Sequence, residues 1–200
     1  MKAIARGAEA TVYESKDVVI KDREKKRYRI EEIDSALRKS RTRSEFNILK
    51  KCVSFGINVP QPIKISEDGY QLYMERLNGS LLKDEFSIET LKKAAKTTAK
   101  MHKKDIVHGD LTTSNIMVVG GVPYLIDFGL GFMSSREEDK ATDIFLVKEA
   151  LKAKHTEVYD DAFSAFLESY KTEYGKEFKG IETHLKDIES RRRYYEDDQS

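Results

Sequence analysis

His108-Gly109-Asp110-Leu111-Thr112-Thr113-Ser114-Asn115, followed twelve residues after Asn115 by Asp127-Phe128-Gly129, is the stretch on which the reading of this chain turns. Transfer of a phosphoryl group needs a carboxylate to orient or deprotonate the attacking oxygen, and oxygen ligands to hold a divalent cation on the phosphates. Asp110 suits the first role. Asn115 and Asp127 suit the second, because a hard cation prefers carboxylate and amide oxygens. Between them, Ile116 to Val119 and Tyr124 to Ile126 read as two strands joined by Gly120-Gly121, a hairpin that folds Asp127 back toward Asn115. Either motif alone reads better as turn-forming Asp, Asn and Gly residues. Both together, in this order and with strands between them, read as a phosphoryl-transfer site.

Working upstream, Val18-Val19-Ile20-Lys21 ends a β-rich segment in a lysine. Glu45 falls on the same stripe of a helical stretch as Leu49, which puts a carboxylate near a buried face, where an unpaired charge is costly. Lys21 is the natural partner, and the pair would hold an ammonium against phosphates. A surface pair of Glu45 with Arg41, one helical turn earlier, is the other reading. Ahead of the lysine, Ala5-Arg6-Gly7-Ala8-Glu9-Ala10-Thr11-Val12 keeps the frame of a phosphate-covering hairpin, G-x-G-x-x-G-x-V, with Ala in place of the first and third Gly. With fewer glycines the loop is stiffer, and cradling would lean on Gly7, Ala8, Ala10 and the charged neighbour Glu9. Met74-Glu75-Arg76-Leu77 reads as a connector whose backbone could meet a base edge, with Val12 and Ile126 as apolar walls. No G-x-x-x-x-G-K-[ST], G-x-S-x-G or H-E-x-x-H occurs.

The surrounding chain supplies two halves. Residues 1–21 read as hairpin-linked strands, about 30–53 as a helix, and 63–74 as a second hairpin around Glu67-Asp68-Gly69. From Ile88 onward the period becomes helical, with Ser87 as N-cap, then helices over about 143–153 and 159–174, the latter with Val158, Ala162, Phe166 and Tyr170 inward. A strand-rich front meets a helix-rich back, which implies two lobes and a ligand cleft between them. The 200 residues fit one such unit: 1–77 as the first lobe, 78–190 as the second and 191–200 as a tail. With 36 Lys+Arg against 35 Asp+Glu the chain is highly charged and nearly neutral, which excludes a histone-like polycation. A single cysteine, Cys52, excludes an internal disulfide and a thiolate metal cluster and fits a reducing compartment, the cytoplasm. No signal peptide or membrane span is expected.

With these residues in hand, the sequence resembles the eukaryotic-type protein kinase superfamily. Within it, the sequence is similar to the family of small atypical serine/threonine kinase/ATPase subunits of the KEOPS (EKC) complex. The flanking motifs that carry the closer likeness are Gly7-Ala8-Glu9-Ala10, Lys26-Arg27-Tyr28-Arg29 and Arg41-Thr42-Arg43-Ser44-Glu45. The resemblance implies an α+β bilobal kinase-like fold, with a small β-rich N-lobe carrying one main helix and a reduced, mostly helical C-lobe. It implies ATP and Mg2+ as cofactors, with Mn2+ as an alternative ion, and a role in threonylcarbamoyladenosine modification of tRNA. The partners it implies are a tRNA-modifying catalytic subunit and a further small subunit of the complex. Carried over by position, Asp110 is the catalytic base, Lys21 the phosphate lysine, Glu45 its ion-pair partner, and Asn115 and Asp127 the metal ligands. The nucleotide-binding set is Gly7, Ala8, Glu9, Ala10, Val12, Lys21, Met74, Glu75, Leu77 and Ile126.

Several features depart from ordinary protein kinases. Gly109 stands where an arginine would read an activation-loop phosphate, and only Leu130 to Thr142 separates Gly129 from Asp143, too short for a long peptide-docking segment. Asp143 reads either as a brace for the catalytic-loop backbone or as a helix N-terminal acid. His102 reads as packed and His108 as fixing the loop. The basic runs Lys21 to Arg29 and Arg38 to Arg43, with Arg191, Arg192 and Arg193, read either as a tRNA-contacting face or as solvated surface. Two competing functions share the core motifs: a small-molecule phosphotransferase of the antibiotic or choline kinase type, and a degenerate kinase kept for docking.

Overall fold

The computed structural model of the protein describes residues 2–7, 9–26 and 28–197, and side chains through Arg192. The front half is a five-stranded antiparallel sheet built from β1 (Lys2–Arg6), β2 (Thr11–Ser15), β3 (Val18–Asp22), β4 (Pro62–Ile65) and β5 (Gln71–Glu75), in the order β1-β2-β3-β5-β4. One long helix, α1 (Glu31–Ser54), crosses it, packing Ile48, Leu49 and Cys52 inward. Burial pushes the Cys52 thiol up to about 12, as suits a packed rather than a reactive sulfur. Gly56, at φ +69°, follows the helix end.

Register places Lys21. Alternate residues of β3 face one way, and Lys21 pairs with Val12 on one side and Leu72 on the other, in the middle of three strands. The ladder runs one residue past the strand, where the Arg23 N–H donates to Tyr70 O at 3.2 Å. Arg23 therefore shares a sheet face with Lys21.

The back half holds β6 (Ser80–Leu81), α2 (Ile88–His102), β7 (Ile106–Val107), β8 (Ile116–Val119), β9 (Val122–Leu125), β10 (Phe132–Met133), α3 (Glu137–Lys154), α4 (Tyr159–Tyr174) and α5 (Phe178–Asp197). The Ser87 hydroxyl caps α2 by accepting from Thr90 N–H. Helices α2 and α4 pack against each other around Leu91, Ala95, Phe166 and Tyr170, all fully buried. Ala162, Phe166 and Tyr170 point inward as their spacing predicts, but Val158 is 39% exposed because it sits in a 3-10 turn before α4 begins. Helix α3 starts six residues ahead of the expected Asp143, through the acidic run Glu137-Glu138-Asp139, which favours a helix N-terminus. Helix α5 continues through 191–197, the stretch read as a tail, while 198–200 lie outside the described residues. Among the described residues no helix is long and apolar enough to cross a membrane.

Candidate active site

The two halves enclose a cleft of about 450 Å³. Its walls are apolar: Val12 and Val19 from the five-stranded sheet, Leu81 and Met117 from the small three-stranded sheet β6-β8-β9, and Ile126 just past β9. Met74, Glu75, Arg76 and Leu77 form its back, where β5 runs into the second half. The Glu75 and Arg76 N–H groups are already bonded, to Gln61 O at 2.8 Å and Asp17 O at 2.9 Å. At the opposite end the lining turns polar, with Lys21, Glu45, Ser114, Asn115 and Asp127 together.

Lys21 Nζ donates to Glu45 Oε1 at 2.8 Å and to Asp127 Oδ1 at 2.5 Å. Lys21 and Glu45 are buried, 7% and 1% exposed, whereas Asp127 opens to the cleft. Burial alone would lower the Lys21 pKa, but the Glu45 and Asp127 charges outweigh it and the ammonium is held above the ordinary lysine value. Burial likewise pushes Asp127 up, and the Lys21 charge with hydrogen bonds from Lys21 and Gly129 N–H more than reverses it, leaving the carboxyl below the usual range. Asp127 also takes a left-handed φ of +63°, unusual for a residue with a side chain, so the turn is held by its surroundings. Arg41 does not pair with Glu45 but turns to the loop, where it and Arg29 hold the Glu9 carboxylate.

The loop from His108 to Asn115 is fastened from below. Asp143 Oδ2 accepts the His108 N–H at 2.6 Å and Oδ1 accepts the Gly109 N–H at 2.9 Å, so of its two readings the geometry matches the brace. His102 is packed, joining Asp143 through Nε2 at 3.1 Å and the Tyr170 hydroxyl through Nδ1 at 2.7 Å. His108 Nε2 lies 2.9 Å from Ile126 O, so this nitrogen carries the proton and Nδ1 accepts the Asp110 N–H at 3.3 Å. Gly109 has φ +79°, and a Cβ there would stand 2.3 Å from Leu130 O. The missing arginine is thus also a steric requirement. Asn115 Nδ2 donates to Asp110 O at 2.8 Å and Oδ2 at 3.0 Å, which commits its nitrogen and leaves Oδ1 as the atom for a cation.

Of the residues singled out from sequence, Val12, Lys21, Glu45, Met74, Glu75, Leu77, Asn115, Ile126 and Asp127 line one cleft, with Asp110 hydrogen-bonded at its edge. Gly7, Glu9 and Ala10 do not line it. Gly7 N–H closes a turn on Ala10 O at 2.9 Å, Ala10 is buried, and Glu9 is turned to Arg41. Ala8 lies outside the described residues. Sequence reading missed Val19, Pro60, Leu81 and Met117 as walls, because their approach depends on pairing between distant strands. It also missed Arg23, whose Nη2 donates to Glu45 Oε2 at 2.6 Å; its i+2 spacing from Lys21 was a usable signal.

Among the described residues no group of three His, Cys, Asp or Glu could hold a metal ion. One carboxylate and one amide oxygen still fit Mg2+, which keeps several waters and takes the rest of its ligands from phosphates.

Comparison with known proteins agrees with this geometry. A family model described as the RIO domain matches residues 6–145. The chain is 36% identical to the KEOPS complex subunit Bud32 of Pyrococcus abyssi, over 98% of this chain and 97% of that one. It belongs to the RIO family, with the Bud32 proteins. A probable bifunctional tRNA threonylcarbamoyladenosine biosynthesis protein of Methanocaldococcus jannaschii is 40% identical over 96% of this chain, which spans only 37% of that relative's length. A probable serine/threonine-protein kinase BUD32 homolog of Archaeoglobus fulgidus is 36% identical, with 95% of each chain covered. The crystal structure of the Rio2 kinase-ADP/Mg2+-phosphoaspartate complex from Chaetomium thermophilum superposes with a TM-score of 0.64 at 17% identity, covering 95% of this chain and 72% of that one. The fold is therefore the bilobal kinase-like one expected.

Proposed function

We propose that this RIO-family chain is a Mg-ATP-dependent kinase/ATPase that serves as a KEOPS subunit in threonylcarbamoyladenosine modification of tRNA. The observation that carries the chemistry is the meeting of Lys21, Asp127, Asn115 and Asp110 at the polar end of a cleft whose other end is apolar. The apolar end accepts a base. With the Glu75 and Arg76 N–H groups bonded elsewhere, other backbone groups of the connector would have to meet its polar edge. Lys21 neutralises phosphate charge from the sheet side, and Asn115 Oδ1 and Asp127 would hold Mg2+, or Mn2+ as the alternative ion. When bound, the cation offsets charge on the leaving oxygens. Asp110 orients and deprotonates the attacking hydroxyl or water, while Asn115 fixes its carboxylate and Asp143 fixes its loop.

The assembly role rests on the Bud32 relatives, which extend the likeness beyond the kinase motifs and weigh against a small-molecule phosphotransferase. The intact polar cluster weighs against a degenerate docking module. The partners in this reading are a tRNA-modifying catalytic subunit and a further small subunit, in the cytoplasm. A tRNA contact through the basic runs has fewer free charges than composition suggests. Arg29 and Arg41 are taken by Glu9, Arg38 by Asp34, Arg191 by Glu138 and Arg192 by Glu149. The Arg193 side chain lies outside the described residues.

The test is Mg2+-dependent ATP turnover by wild type and Asp110→Ala, each with and without the modification partner and tRNA. Asp110→Ala is expected to lose at least ~100-fold. Equal rates would retire the enzyme reading, and turnover of small alcohols without effect of the partner would favour the phosphotransferase.

A further inference from the structure

Glu45 faces two cations. Lys21 Nζ takes Oε1 at 2.8 Å and Arg23 Nη2 takes Oε2 at 2.6 Å, and the three side chains are 8%, 4% and 1% exposed for Lys21, Arg23 and Glu45. Lys21 in turn faces two carboxylates, since it also reaches Asp127 Oδ1. The result is a four-membered chain of alternating charge, Arg23, Glu45, Lys21, Asp127, that sums to zero.

Were Lys21 the sole partner of Glu45, its ammonium would carry two duties that compete. A carboxylate exposed to only 1% must be compensated at all times, which ties the cation to the core. Phosphate binding needs the same cation to lean into the cleft. Arg23 separates the duties, because its guanidinium is always charged and its planar fork is suited to a carboxylate oxygen. Its backbone is pinned on both sides: the N–H donates to Tyr70 O at 3.2 Å, and the carbonyl accepts Arg38 Nη1 at 3.2 Å. Arg23 and Lys21 also lie side by side beneath the Asp127-Phe128-Gly129 turn. A Cβ on Gly129 would come within 3.2 Å of Lys21 Nζ and 3.5 Å of Arg23 Nη2.

We propose that Arg23 is a positioning residue of this site: it holds the Glu45 carboxylate, and with it α1, in place on its own, and leaves the Lys21 ammonium to be shared between Asp127 and the phosphates. The proposal rests on the Mg-ATP reading only for what occupies the cleft. It gives a site whose helix is locked in the assembled position without an ordered phosphorylated segment, as suits the short span between Gly129 and α3.

Two measurements on the full chain test it. Hydrogen exchange of the α1 segment around Glu45, without nucleotide, is compared in wild type, Lys21→Met, Arg23→Gln and Arg23→Lys. Mg-ATP affinity is then measured by calorimetry at a temperature where all are folded. Arg23→Gln is expected to raise exchange in α1 and weaken Mg-ATP by at least ~10-fold each, the size of one lost charge-assisted bond, while Lys21→Met leaves α1 exchange near wild type. Arg23→Lys, which keeps a cation but not the fork, is expected between, at about threefold. If Arg23→Gln does not fold, Arg23→Lys decides, and wild-type exchange and affinity in it overturn the proposal. Equally, α1 loosening as much in Lys21→Met as in Arg23→Gln, or wild-type affinity in Arg23→Gln, overturns it. A wild type that binds no Mg-ATP retires the nucleotide reading alone, since the exchange comparison still decides Arg23.

Discussion

A proton added to His108 would set two N–H groups against each other, because Nδ1 accepts from Asp110 N–H while Nε2 donates to Ile126 O. Burial holds its pKa below the ordinary 6.5, against the pull of Asp143. The sign follows: below 6.5 the unfolded chain takes up a proton that the folded chain refuses, so stability falls as pH drops through that value, by up to about 1.4 kcal/mol per pH unit. Urea unfolding at pH 7.5, 6.5 and 5.5 should show a steeper loss for wild type than for His108→Gln; parallel losses would contradict the assignment. Asp127 acts lower on the scale. Its depressed carboxyl contributes stability that is present above the ordinary carboxylate range and is lost only as pH falls through its folded value. Single residues were legible where chemistry limits the choice: a carboxylate on a buried stripe demanded a cation, and Lys21 supplied it. Arg23 stayed hidden because one partner already satisfied the demand, and only coordinates show that each Glu45 oxygen has its own.

Elements were legible in proportion to their local signal. Helix α2 was placed from its cap and its three-four spacing, and the β8-β9 strands from Gly120-Gly121 between β-rich runs. The two-residue strands β6, β7 and β10 had none, since each exists only through a distant partner, Ser80 with Val118 and Met133 with Ile106. Helix α5 was not delimited although Phe178, Ile181 and Leu185 are buried, because the surrounding Lys, Glu and Arg dilute a narrow apolar stripe. The loop between β1 and β2 was less legible for a related reason. Its frame matched, but where Glu9 points depends on Arg41, thirty-two residues away. Helix packing gives the prediction at this scale. Phe166, fully buried between α2 and α4, is remote from the cleft lining, so Phe166→Ala should cost about 3–5 kcal/mol in thermal or urea unfolding and leave the KM for ATP unchanged. A large rise in KM with little loss of stability would show that α4 reaches the site after all.

The whole molecule divides labour between its halves. The sheet and α1 hold the cations Lys21 and Arg23, and the second half holds the oxygens of Asp110, Asn115 and Asp127 on loops, the one before Asp110 braced by buried Asp143. Neither half has a complete site. The bilobal plan was legible because strand period gives way to helix period along the chain, and the oxygen-bearing part of the polar end because Asp110, Asn115 and Asp127 are close in sequence. Of the apolar walls, Val12 and Ile126 were legible but Val19, Pro60 and Met117 were not, since these meet only when the lobes face each other. Convergence of both lobes on one magnesium-bound triphosphate is tested most directly by calorimetric titration of ATP into wild type and Asp127→Asn, each with and without Mg2+. Mg2+ should tighten binding to wild type by at least ~10-fold and leave the variant almost unchanged. No Mg2+ effect in wild type, or the same effect in both proteins, would contradict it.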